Sequence, residues 1–192
     1  MIEINYIIPE LFLSISIMSL LMIGVFYKKS QNIVYQLSLY VLLILLVLIL
    51  NNSTENSVLL FNNSYKIDNI SFFMKILTIV SVFFVMISSF NYVKTLQLNK
   101  IEYPILILSS VLGMMVMISS NDLIVFYIGL ELQSLGLYVL CSFNRDNSRS
   151  AEAGLKYFVL SALSSGLLLY GCSLIYGFTN STNFELINQN LN

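Results

Sequence analysis

The side chain in this sequence best placed to do chemistry is a carboxylate set where charge is expensive. Glu131 stands in the middle of the apolar run from Asp122 to Cys141. A charged group at that depth costs about 3 kcal/mol on insertion scales, so it faces protein or water and marks a candidate site by default. At helical spacing, Tyr127, Ser134 and Tyr138 share its stripe. Hydroxyls in line with a carboxylate are what a proton or water path requires. The alternative is a carboxylate that only ties one helix to its neighbour for assembly.

Two lysines are candidate partners, because an ion pair at about 4 Å and an effective dielectric near 20 is worth about 4 kcal/mol. Lys156, in Ala153-Gly154-Leu155-Lys156-Tyr157-Phe158, lies about 8 Å inside its span, whereas Glu131 lies about 18 Å from the same side. The offset of about 10 Å disfavours a direct salt bridge. Lys75 enters its span from the opposite side and comes within about 6 Å of the Glu131 level. It is expected to snorkel to the interface on its long stem, with a proton-carrying role as the secondary reading. Inside a low-dielectric site, changing the distance within a carboxylate–ammonium couple moves a proton without any cofactor.

The elements that must position these groups are membrane helices. Of 192 residues, 57% are hydrophobic and only 10% charged, against about 25% charged in an ordinary soluble domain, and the mean hydropathy is +0.83. Apolar runs long enough to span a bilayer fall at about residues 5–27, 33–50, 70–92, 104–119, 122–142 and 153–178. The expected fold is all-α and polytopic: one membrane domain of six transmembrane helices over residues 1–192, with no soluble domain. Pro104 suits a first helical turn, and Ser150 with Glu152 reads as the N-cap and first-turn acid of the sixth helix. Lys28, Lys29, Lys94, Lys100, Arg145 and Arg149 collect in loops on one side, with Lys66 alone on the other. The positive-inside rule therefore places both termini on the side opposite the basic loops.

Tyr6, Tyr27, Tyr35, Tyr92 and Tyr103 fall near span ends and are expected to be interfacial anchors. Ser161, Ser164, Ser165 and Gly166 offer a close-packing seam on the sixth helix, and Met114, Met115 and Met117 offer adaptable packing on the fourth. Cys141 and Cys172 lie within apolar helices and are expected to be buried thiols, not a disulfide. The chain has no histidine, no zinc-type cysteine spacing and a net charge of -1. Metal, flavin, nicotinamide and nucleic-acid binding are therefore not expected. Met1 to Tyr6 lacks the basic region of a signal peptide, so insertion through the first span is expected. Abundant Asn, Ile, Leu, Ser, Tyr and Lys suggest an AT-rich coding genome, as in an organelle; the Asn-x-Ser/Thr triplets follow from that bias.

A specific pattern runs through Asn121-Asp122-Leu123, Glu131-Leu132-Gln133-Ser134-Leu135, Tyr138-Val139-Leu140, Ser150-Ala151-Glu152-Ala153-Gly154-Leu155-Lys156-Tyr157-Phe158, Ser164-Ser165-Gly166 and Leu169-Tyr170-Gly171. It resembles subunit 2 of respiratory complex I, one of the antiporter-like membrane subunits of proton-pumping NADH:ubiquinone oxidoreductase. Asp68-Asn69-Ile70-Ser71-Phe72-Phe73-Met74-Lys75 is similar to the family's third-span entry, while residues 1–60 match in hydropathy alone. The resemblance implies inverted five-helix repeats preceded by N-terminal helices, with a fifth-helix glutamate and lysines on later helices carrying protons. Glu131 maps to that glutamate and Lys156 to the lysine of the Gly-Leu-Lys-Tyr-Phe run. The family's seventh- and eighth-helix lysines and its second repeat have no counterpart in these residues.

The leading expectation is a complex I membrane subunit in the mitochondrial inner membrane, with both termini on the intermembrane-space side. It would form part of a proton path with a separate chain carrying the remaining helices. Its partners would be other complex I membrane subunits and the lipid bilayer. No cofactor is expected in this chain: NADH, FMN, iron-sulfur clusters and ubiquinone belong to the complex. The rivals are a structural scaffold without a proton path and an independent six-helix transporter, the latter disfavoured because no internal repeat or discontinuous helix pair appears.

Overall fold

The computed structural model describes residues 6–27, 31–52, 57–95 and 100–191. Expectations resting on Met1 to Asn5 and on Lys28 and Lys29 lie outside the described residues. Six long helices follow the apolar runs: α1 (Ile8–Phe26), α2 (Gln31–Asn51), α3 (Asn69–Thr95), α4 (Glu102–Ile118), α5 (Leu123–Cys141) and α6 (Ser148–Thr179). Between α2 and α3 lies an antiparallel hairpin, β1 (Val58–Leu60) and β2 (Tyr65–Ile67), and a short α7 (Phe184–Leu191) follows α6. Five of the six long helices are long and apolar enough to cross a membrane. The fourth, α4, has 17 residues, about 26 Å of rise, close to the lower limit for a span.

Helix starts are set by short polar side chains accepting backbone N–H groups that have no partner within the helix. Asp68 Oδ1 accepts from Ser71 N–H at 2.8 Å while Ser71 Oγ accepts from Asp68 N–H at 2.8 Å, a reciprocal box at the head of α3. Asp122 Oδ1 accepts from Ile124 N–H at 2.8 Å at the head of α5. Asn147, not Ser150, caps α6, accepting from Arg149 N–H at 3.0 Å. The helix consequently starts at Ser148 instead of residue 153, and the Ser150 hydroxyl donates to the Cys141 carbonyl at 2.9 Å. Pro104 does sit in the first turn of α4.

The buried apolar core comes from α1 to α4: Leu13, Leu42, Leu45, Ile79, Leu108 and Met115 are fully enclosed. Tyr35 is part of this core and not an interfacial anchor. Its hydroxyl donates to the Met86 carbonyl and pairs with Ser89 Oγ at 3.1 Å, joining α2 to α3. Tyr27 and Tyr92, by contrast, are exposed.

Helix α5 joins the core through a glycine seam. A Cβ on Gly113 would lie 2.5 Å from Gln133 N, and one on Gly129 would lie 2.8 Å from Met117 N, so the α4 and α5 backbones touch. Of the seam expected on α6, Ser161 meets α5 by pairing with the Tyr138 hydroxyl, and the other members show no such tie among the described residues. Nothing lies within 4 Å of a Cβ built on Gly166, and Ser164 and Ser165 donate only to carbonyls of α6 itself. Helix α6 packs on α5 and α7 and buries only Gly154 and Thr179. Cys141 is exposed and Cys172 half-buried; both are free thiols.

The hairpin fastens one end of the bundle. Its loop places Phe61, Asn62 and Asn63 in the left-handed region, with φ of 51°, 53° and 67°. That turn presents the Asn63 carbonyl to Asn121 Nδ2 and Asn183 Nδ2, both at 2.9 Å. The hairpin backbone also bonds Ser119 and Asn121, while Lys66 pairs with Glu185 at 3.1 Å. The α4–α5 turn, the α6–α7 turn and the hairpin thus close on one another.

Candidate functional site

Glu131 falls near the middle of α5, two residues past the Gly129 crossing and two before Gln133, whose backbone faces Gly113. The residue is half-buried, and its Oε1 is fully buried with no hydrogen-bond partner among the described residues. An unpaired carboxylate oxygen of this kind is costly and calls for a function or a partner.

The other expected members of its stripe are on α5 but turned to separate tasks. Ser134 donates its hydroxyl to the Leu130 carbonyl, and the Tyr138 hydroxyl pairs with Ser161 Oγ on α6. Tyr157 stacks edge-on against Tyr138 at 4.9 Å. Tyr127 is half-buried. The Ser134 and Tyr138 hydroxyls therefore tie α5 to itself and to α6 and do not bond Glu131 Oε1. Lys156 is exposed on α6 and donates to Glu152 Oε1 at 2.6 Å, one turn away. The axial arithmetic holds: Lys156 does not pair with Glu131 here.

Lys75 overturns its expectation. It does not snorkel; it is 4% exposed and donates to Glu10 Oε1 at 2.6 Å and to the Tyr65 hydroxyl at 3.2 Å. Tyr65 OH in turn donates to the same Glu10 Oε1 at 2.8 Å. The ammonium also lies 5.3 Å from the Tyr65 ring centroid. Glu10 enters from the first turn of α1, Tyr65 from β2 and Lys75 from α3. Three elements thus converge on one buried ion pair. Tyr65 lies in the hairpin, outside the spans, where burial first and the Glu10 charge second push its phenol well above the usual tyrosine range. Glu10 Oε2 is buried without a partner among the described residues.

Glu10 is the residue that sequence reasoning missed. Its signal was the one used for Glu131, a carboxylate within a predicted span. Among the described residues no group of three or more histidine, cysteine or carboxylate side chains is arranged to hold a metal ion.

Spans, caps and buried intramembrane charges together define an all-α polytopic membrane protein of antiporter-like fold. Residues 120–192, which carry Glu131 and Lys156, match the family model described as NADH:quinone oxidoreductase/Mrp antiporter, transmembrane. The chain is 62% identical over 190 residues to NADH-quinone oxidoreductase subunit N of Pelagibacter ubique, covering 99% of this chain and 40% of that protein. It is 46% identical over 182 residues to the subunit N of Paramagnetospirillum magneticum, covering 93% and 37%.

Among solved structures, respiratory complex I from Thermus thermophilus with bound aureothin matches with a TM-score of 0.77 and 25% identity, covering 91% of this chain and 38% of that one. The archaeal membrane-bound sulfane sulfur reductase shares the fold, with a TM-score of 0.82 at 20% identity, covering 96% and 39%. This chain therefore spans about two fifths of the length of the relatives it matches. Two expectations are sharpened. The alignment to the Pelagibacter protein takes in 99% of this chain and so includes the first sixty residues, where only hydropathy was expected to match. The relatives are bacterial and carry the name subunit N, where subunit 2 of a mitochondrion was expected.

Proposed function

We propose that this chain is a membrane subunit of a proton-pumping NADH-quinone oxidoreductase and forms part of a proton path. In this reading Glu131 is the central carrier and Lys156 a relay on α6. The observation that carries it is the mid-span Glu131, with one oxygen buried and unpartnered among the described residues. The 62% identity to a bacterial subunit N supports the assignment to that complex.

Helix α6 presents Leu160, Leu163, Leu167 and Tyr170 to its surroundings. We assign that face to the helices that make up the remainder of the relatives' length, on a separate chain or further along this one. Other complex I membrane subunits and the bilayer complete its surroundings. Bacterial relatives favour a bacterial inner membrane over a mitochondrial one. The basic loops then face the cytoplasm, and the end bearing the hairpin faces out. NADH, flavin, iron-sulfur and quinone sites fall to other parts of the complex.

A scaffold role is favoured by one fact, that the hydroxyls of Ser134 and Tyr138 are committed to helix ties. Glu131→Gln separates the two readings, since it keeps the shape and removes the charge. Protons translocated per NADH are expected to fall in the assembled complex. An unchanged ratio, with assembly affected instead, would establish the scaffold.

A further inference from the structure

The buried triad of Glu10, Tyr65 and Lys75 has no part in the path through Glu131, and its internal arrangement is lopsided. Both donors, Lys75 Nζ and Tyr65 OH, converge on Glu10 Oε1, at 2.6 and 2.8 Å. The second oxygen, Oε2, is buried with no partner among the described residues, on a residue only 8% exposed. A pair built solely to clamp α1 to α3 gains most when both carboxylate oxygens are satisfied, because an unmatched ionised oxygen bears the full desolvation cost. A protonated oxygen at that position is neutral and far cheaper to bury.

We propose that the triad is a second proton-holding site, in which Glu10 Oε2 takes up a proton from water at the hairpin end of the bundle. The step balances simply. A hydronium ion transfers its proton to Oε2, the carboxylate becomes a carboxylic acid, and a neutral water is left. Lys75 remains an ammonium and keeps Tyr65 OH and Glu10 Oε1 as acceptors. Tyr65 stays a neutral phenol, since burial opposes its ionisation.

The surroundings contain the means of delivery. A cavity of about 300 Å³, lined by Ile7, Glu10, Ser64 and Tyr65 among others, adjoins the carboxylate residue and has room for water. Among the described residues the other charged groups at this end are engaged elsewhere: Lys66 pairs with Glu185, Asp68 accepts from Ser71 N–H and Asp122 accepts from the Thr182 hydroxyl. None takes part in the triad. Glu10, Tyr65 and Lys75 come from α1, β2 and α3, so a proton arriving on Oε2 changes the charge at the point where the hairpin meets the bundle.

The test is infrared spectroscopy of the assembled complex in lipid, reading the carbonyl stretch of protonated carboxylic acids in H2O and after exchange into D2O. The wild type is expected to show a band that grows as pH falls and shifts on deuteration. Glu10→Gln removes that band; Glu10→Asp keeps the charge and moves it to the aspartic acid position. Either variant decides the matter if the other fails to assemble. Glu131→Gln leaves the band in place, so failure of the path through Glu131 is distinguishable from failure of this site. A carboxylic acid region identical in the wild type and in whichever Glu10 variant assembles would overturn the proposal and make the triad a permanently ionised clamp.

Discussion

The closest approach of a glycine to a neighbouring backbone atom among the described residues yields the sharpest prediction. A Cβ on Gly113 would lie 2.5 Å from Gln133 N, 2.8 Å from Gly129 O and 3.0 Å from Gln133 Cα. The first distance falls about 0.9 Å short of the 3.4 Å at which ordinary contact begins. All three obstacles are backbone atoms, so no side chain can swing aside. In Gly113→Ala the two helices must therefore separate by nearly 1 Å, and such a gap forfeits a quarter to a half of the dispersion attraction along the crossing. Overpacking of this kind costs about 1–3 kcal/mol, against a gain of about 1 kcal/mol for placing Ala instead of Gly in a helix. With three close backbone contacts the upper end applies, for a net loss of about 2 kcal/mol.

Glu131 lies within two residues of both Gly129 and Gln133, so the same displacement moves the carboxylate. Reversible unfolding of the purified protein in mixed micelles, with rising denaturing detergent, measures the first effect. Proton translocation per NADH in the assembled complex measures the second. Gly113→Ala protein as stable as the wild type, or more so, would refute the backbone contact and with it the account of how α5 is held.

Three further outcomes are expected. Lys75→Met strands a buried carboxylate and should cost about 3–5 kcal/mol, whereas adding Glu10→Leu recovers most of the loss, since an apolar pair replaces a buried ionic one at little cost; additive losses in the double variant would contradict the buried pair. Phe61→Gly should stabilise by about 1 kcal/mol, because a non-glycine residue at φ 51° is strained by about 1–2 kcal/mol and its side chain is exposed; a stability loss on thermal unfolding would count against that loop geometry. Because the folded phenol of Tyr65 titrates above its unfolded value, its contribution to stability is complete below about pH 10 and disappears as pH rises further. The fall in stability above about pH 10 should thus be shallower in Tyr65→Phe than in wild type, by up to about 1.4 kcal/mol per pH unit; parallel curves in alkaline unfolding would show that the phenol is not withheld from water.

The six long helices were legible because each is a run of apolar residues bounded by polar ones, and hydropathy needs no tertiary information. What escaped depends on contacts between distant segments. The hairpin has strands of three residues within an asparagine-rich stretch, too short for alternation to register, and its stability comes from Ser119, Asn121 and Asn183. The α4–α5 seam was overlooked because Gly113, Gly129 and Gly136 stand singly, although the last two are one heptad apart on α5 and so share a face. The serine cluster of α6 looked more like a seam, yet among the described residues only its Ser161 is shown tied to another helix.

Glu131 was legible from cost alone. The Lys75 pairing was not, because depth fixes how far a side chain can reach and says nothing about which helix lies beside it. Its partner is 65 positions away. Tyr35 was misplaced for a related reason: proximity to a span end does not reveal that Met86 and Ser89 await its hydroxyl.

The hairpin has a consequence in time. Its Asn63 carbonyl waits for Asn183, which is made 120 residues later. At synthesis rates of about 5–20 residues per second, the interval is roughly 6 to 24 s. Until then the strained loop has Ser119 and Asn121 to bond but not Asn183, while α6 is still being made. The end of the bundle that carries the Glu10 triad is consequently the last part to close.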